Sequence, residues 1–123
     1  MRPQDPTLAL VNRYAPEFGI KNPGRELYEM KTNHPADGRV SVKYQQKYQG
    51  IPIMGGELIV NTNQNGDLYS MNGEVSPDLA LPTQPIIDSS QATQTALQAV
   101  AKWYQKTPAD FVATEPALWI YDE

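Results

Sequence analysis

The chain has 123 residues, 40% of them hydrophobic, with seven tyrosines against two phenylalanines and a formal net charge of −4. That length suits one compact domain or two very small ones, and an acidic chain with no Lys/Arg stripe to neutralise phosphates is expected to have no nucleic-acid partner. The absence of cysteine removes disulfides, thiol nucleophiles and thiolate metal sites together, without fixing a compartment. Residues 1–6 read as a frayed lead-in, residues 1–10 (MRPQDPTLAL) have no apolar core of the kind a signal peptide needs, and no run reaches the length of a membrane span. No membrane partner is expected.

Asp5 or Thr7 is expected to cap a short helix starting near Leu8, with Pro6 tolerated in the first turn. Leu8, Val11, Tyr14 and Phe18 fall at helical spacing on one face; Pro16 shortens the helix and Gly19 stops it. Asn22-Pro23-Gly24 reads as a turn, residues 26–31 as a first strand with Leu27 or Tyr28 inward, and 33–38 as a loop. Over residues 39–48, Val40, Val42, Tyr44 and Tyr48 alternate with Ser41, Lys43, Gln45 and Lys47, the period of a half-buried strand. Pro52 and Gly55-Gly56 interrupt before a second run at 57–60, and Asn65-Gly66 suits a tight hairpin. Residues 68–75 close the meander, with Gly73 marking a bulge or strand end. The fold class expected is α+β, an N-terminal helix covering one face of a four-stranded antiparallel sheet.

Three prolines in 76–85 mark an extended linker, which gives a boundary after residue 75 and a second unit from 88. Asp88, Ser89 or Ser90 caps a helix to about residue 105. Its stripe is Ala92, Ala96, Ala99, Val100 and Trp103, widened by Leu97 and Tyr104. Residues 117–121 (ALWIY) read as a strand. One helix and one strand cannot bury a core alone, so this unit either lacks strands or packs against the first.

Chemistry-bearing patterns are sparse. His34, the single histidine, sits in a loop without HExxH or any equivalent metal spacing. A Ser-His-Asp site would have to use it, while Ser41, Ser70, Ser76, Ser89 and Ser90 all have strand, linker or cap readings. Gly50, Gly55 and Gly56 read as a turn rather than a phosphate loop, and Asp122-Glu123 as a chain end rather than an acid/base pair. No catalytic, cofactor-binding or metal-ligating residue is expected. Exposed strand edges, which can add a partner strand, are the physical route to function that remains.

Residues 42–73, VKYQQKYQGIPIMGGELIVNTNQNGDLYSMNG, closely resemble the fungalysin/thermolysin propeptide domain. The resemblance rests on Gln46, Gly50, Pro52, Ile53, Gly55, Glu57, Gly66, Asn72 and Gly73 in order, with Gly56 completing the Gly-Gly-Glu step. Phe18-Gly19-Ile20 looks like the family's N-terminal segment, and the later helix with ALWIY looks like the front of a cystatin-like PepSY domain. The resemblance implies a propeptide domain over 1–75, a linker over 76–87 and a partial PepSY unit over 88–123. It further implies a non-catalytic fragment of a secreted thermolysin-like zinc metallopeptidase precursor, its signal already removed, acting as intramolecular chaperone and inhibitor. Zinc and calcium are then expected only in the parent catalytic domain, which would be the partner. A stand-alone extracellular binding or inhibitor module is the alternative.

Overall fold

In the computed structural model, which describes residues 6–122, the alternating stretch lies at the centre of a four-stranded antiparallel meander in the order β1-β2-β3-β4. The strands are β1 (Leu27–Asn33), β2 (Val40–Tyr48), β3 (Ile51–Thr62) and β4 (Leu68–Glu74). Ahead of the sheet come helix α1 (Pro6–Tyr14), a 3-10 turn (Ala15–Phe18) and the single helical turn α2 (Pro23–Glu26). The Asn-Pro-Gly segment expected as a turn is therefore helical, and the Asn22 amide donates to the Glu26 carboxylate at 2.6 Å. Helix α3 (Ser89–Tyr104) follows the sheet. The α+β expectation, with a helix on a four-stranded antiparallel sheet, holds.

Packing follows from which side chains the alternation turns inward. Val42 and Tyr44 of β2, Leu58 and Val60 of β3, and Leu27 of β1 form one apolar face, which Val11, Ala15 and Ile20 cover. Between the two candidates on β1 it is thus Leu27 that enters the core. The inward face of α1 and the 3-10 turn that follows it is rotated from the expected stripe: Thr7, Val11 and Ala15 are buried at i, i+4 spacing, whereas Leu8 is 51% exposed. Small Ala15 at the contact lets the helix backbone approach the sheet closely, which a line of large residues would prevent. Thr7 lies inside the helix rather than ahead of it, and Asp5 lies outside the described residues. Gly19, in the left-handed region at φ 91°, ends the 3-10 turn as its position suggested.

Two turn assignments change. The β2–β3 hairpin is the pair Gln49-Gly50, both at positive φ (49° and 81°), which matches the twist of the flanking strands. Pro52, Gly55 and Gly56 lie within a continuous β3 rather than between strands. Between β3 and β4, of the pair Asn65-Gly66 only Gly66 has positive φ. The Asn63 side chain accepts from the Asn65 and Asp67 amides at 2.9 and 3.0 Å. The side-chain oxygen takes over donors that a tighter turn would have satisfied within its backbone.

The chain forms two compact units, residues 1–81 with 119–123, and residues 82–118. In the second, α3 opens on a reciprocal capping box in which Asp88 accepts from the Gln91 amide at 2.8 Å and Gln91 from the Asp88 amide at 3.1 Å. Its expected stripe is largely open, with Trp103 82% and Tyr104 63% exposed. The expected strand over 117–121 is reduced to one bridging residue, Ile120, which belongs to the first unit.

Gly73 sits opposite Leu58. A Cβ there would fall 2.0 Å from the Glu57 carbonyl oxygen and 2.9 Å from Leu58 Cα, both backbone atoms that cannot rotate away. We predict that Gly73→Ala lowers stability by about 3 kcal/mol through strand separation. Gly24→Ala, where the added methyl meets only ordinary contact, should stay within about 1 kcal/mol of the unaltered chain. Urea titration of the two variants checks the contrast.

Candidate functional site

Strict alternation would send Gln45 to solvent, yet Gln45 and Gln46 are both buried, at 4% and 1% exposure. The cause is a break in register. Gln45 pairs with Glu57 but Lys47 pairs with Pro52, so Ile53, Met54, Gly55 and Gly56 of β3 face a single β2 residue. A bulge of this size strands backbone carbonyls away from the ladder, and buried carbonyls without partners are costly. The Gln45 carboxamide supplies the missing donor, reaching the Ile53 carbonyl at 2.6 Å, the Gly56 carbonyl at 3.1 Å and the Gln46 carbonyl at 3.0 Å. It ties the two ends of the bulge together.

Gln46 acts in the opposite direction along the chain. Its Oε1 accepts from the Ser76 amide and its Nε2 donates to the Ser76 carbonyl, each at 2.7 Å. The side chain thereby imitates a neighbouring peptide unit and pins the segment that leaves β4. Gly56 makes room for it: a Cβ there would lie 2.9 Å from Gln46 Oε1. The pinned segment is held again where Pro77 packs against Gly19 and where Lys21 meets Asp78 at 2.8 Å. The Asp78 carboxylate raises the Lys21 pKa through that hydrogen bond and by direct attraction. What reads as the start of a linker is, through residue 81, part of the first unit.

The remaining motif residues fall around this clamp or frame it. Ile53 is fully buried, and Pro52 offers its carbonyl to the Ile120 amide at 2.9 Å. Glu57 closes the bulge and meets Lys43 at 3.1 Å on the open face of the sheet. Asn72, exposed, pairs with Ile59 one step from Gly73. Gly50 and Gly66 lie in the turns already described, at opposite ends of β3, so Gly66 is remote from the bulge while Gly50 immediately precedes it.

Gln45 was missed because a glutamine in an alternating strand is ordinarily a wet-face residue. The available signal was two adjacent glutamines, which occupy both faces in succession, just ahead of Gly-Ile-Pro and Gly-Gly. His34 lines an open groove of about 890 Å³ with Glu29, Lys31, Thr62 and Asn63 at the far end of the sheet. Among the described residues no three His, Cys, Asp or Glu side chains converge as a metal site. Asp122 is exposed. The arrangement binds backbone to backbone through carboxamides, which is a capacity for holding chain rather than for transferring protons.

The clamp makes a pH-dependent prediction. Gln46→Ala should cost about 2 kcal/mol by stranding the Ser76 backbone groups. Gln46→Glu keeps the acceptor but, when ionised, sets a carboxylate against the Ser76 carbonyl. Burial and that carbonyl raise the folded-state pKa of the introduced carboxyl above its unfolded value. Its stability is therefore retained at low pH, where the acid form still donates, and lost as pH rises through the folded pKa. Melting curves from pH 4 to 8 should show the gap to the unaltered chain widening with pH; a constant gap contradicts the clamp.

Comparison with known proteins converges on the same stretch. Residues 25–75 match the Fungalysin/Thermolysin Propeptide Motif. The chain is 29% identical over 109 residues to "Thermolysin" of Alicyclobacillus acidocaldarius subsp. acidocaldarius, covering 82% of this chain and 20% of that protein. It is 26% identical over 124 residues to "Bacillolysin" of Brevibacillus brevis, covering 95% of this chain and 23% of that protein. It is 27% identical over 100 residues to "Bacillolysin" of Bacillus cereus, covering 78% and 17%. The chain thus spans about a fifth of the length of the curated relatives it matches. The four strands, the bulge and the glutamine clamp all fall within or beside the residues that are similar to the fungalysin/thermolysin propeptide motif.

Proposed function

We propose that this chain is the non-catalytic propeptide portion of a thermolysin-like zinc metallopeptidase precursor, and that it works by binding the catalytic domain. The observation that carries this reading is the coincidence of the propeptide motif with the whole sheet, β1 to β4, in a chain matching a fifth of proteins named thermolysin and bacillolysin. On this reading the site's chemistry is recognition. Zinc and calcium belong to the catalytic domain, no residue of this chain transfers a proton or attacks a peptide bond, and the precursor is exported.

Two consequences follow from binding alone. A surface that binds the native catalytic domain and not its unfolded chain stabilises the native state by mass action, which is chaperoning. The same surface excludes substrate until proteolysis removes it, which is inhibition. The second unit supports this: within it, Val100 is 40%, Trp103 82% and Val112 99% exposed. Val100 and Val112 line an open, largely apolar groove of about 510 Å³ together with Ala96, Leu97 and Phe111. Apolar surface left open in this way is characteristic of a binding face.

Titrating the chain into its cognate mature peptidase should lower hydrolysis to a plateau reached at about one equivalent when the peptidase is well above the dissociation constant. Unchanged activity across a wide concentration range sinks the inhibitory role. The chaperone role is read separately: refolding of the denatured catalytic domain should yield severalfold more activity with the chain than without it, scored after dilution that releases inhibition. Equal yields contradict it.

A further inference from the structure

β3 has an edge that the meander leaves open. β4 pairs only with residues 57–62 of β3, and β2 takes one side of Ile51 and Pro52. The other side of residues 52–54 is free of both strands. There the Ile120 amide donates to the Pro52 carbonyl at 2.9 Å and the Met54 amide donates to the Ile120 carbonyl at 2.8 Å, in parallel register. Ile120 is 7% exposed and Ile53 beside it fully buried, whereas Trp119 and Tyr121 are 42% and 72% exposed. One buried aliphatic anchor, two main-chain bonds around it and wet neighbours on either side are the pattern of strand addition at a sheet edge.

We propose that residues 52–54 form a β-augmentation site for an extended peptide carrying a branched aliphatic residue, and that the chain's own residues 119–122 occupy it in cis. Main-chain bonds to Pro52 and Met54 set direction and register, while burial beside Ile53 selects the aliphatic side chain. Pro52 suits such an edge, since it has no amide to leave unpaired and offers only its carbonyl. The bulge held by Gln45 is what turns Met54 away from the β2 ladder, so the slot is a product of the clamp. Contact through a single anchor and two hydrogen bonds is weak between separate molecules, but tethering makes it intramolecular and raises its effective concentration. The site is therefore exchangeable: a free peptide of the same chemistry enters when the cis segment is weakened.

Fluorescence anisotropy with a labelled ALWIYDE peptide tests this on the full chain. Ile120→Asp, which removes the cis anchor, should bind the peptide saturably and at least about tenfold more tightly than the unaltered chain. A peptide with aspartate in place of isoleucine should not bind, and Met54→Pro, which deletes the amide donor, should abolish binding when combined with Ile120→Asp. Equal affinity for the unaltered chain and the Ile120→Asp variant overturns the proposal, as does absent binding to an Ile120→Asp variant whose circular dichroism shows an intact sheet. Should that variant unfold, Ile120→Ala keeps the backbone and should bind with intermediate affinity; affinity no greater than that of the unaltered chain overturns the proposal equally.

Discussion

Two buried carboxamides decide how this sheet ends. Gln45 and Gln46 lie where the β2–β3 ladder loses register. Gln45 bonds the carbonyls of the bulge, closing it upon itself, and Gln46 bonds the backbone of Ser76, two residues beyond the end of β4. An apolar residue at either position would fill the volume yet leave main-chain groups without partners, a penalty of about 1–3 kcal/mol for each. Gly56 and Gly73 belong to the same constraint, because each keeps a space into which a neighbour closes: the Gln46 side chain at one, the Glu57–Leu58 backbone at the other.

The bulge has a structural yield beyond its own stability. By turning Met54 away from the β2 ladder, while Pro52 still pairs with Lys47, it gives the sheet a short third edge, in addition to β1 and β4, on which Ile120 pairs. Edges are hazards when long and apolar, and proteins blunt them by keeping them short or covered. This one is short, begins with proline and is covered. Pro52 and Met54 thus present backbone to Ile120, with Ile53 buried beside it. Charge plays a small part by comparison: Lys43–Glu57, Arg39–Asp37 and Lys21–Asp78 are all substantially exposed pairs, of a kind worth little.

Much of this architecture is legible in the amino-acid sequence, because alternation over residues 40–44 and the positions of Leu27, Leu58 and Val60 leave one consistent inward face. What escapes is local and has physical reasons. Leu8 looks like a core residue by type, but Thr7 and Ala15 take the inward line because their small side chains permit close approach. Gln45 escapes because alternation assumes unbroken register, and a bulge lets residues on both faces of a strand be covered in succession. Gly50 reads as a turn residue and is one, but its partner Gln49 is hidden because glutamine seldom adopts positive φ, and Pro52 with Gly55-Gly56 extends the apparent turn into what is β3. The ALWIY segment has strand composition throughout, yet only Ile120 finds a backbone to pair with.

This end of the sheet depends on Gln45 and Gln46 being hydrogen-bonded within the protein rather than solvated. Nitrogen-resolved hydrogen exchange of the glutamine side-chain carboxamides tests that directly. Gln45 and Gln46 should show shifted carboxamide resonances and exchange slowly, at rates close to those of the core amides of β2 and β3, while exposed Gln98 of α3 exchanges rapidly. Carboxamide protons of Gln45 and Gln46 that exchange as fast as those of Gln98 would contradict it.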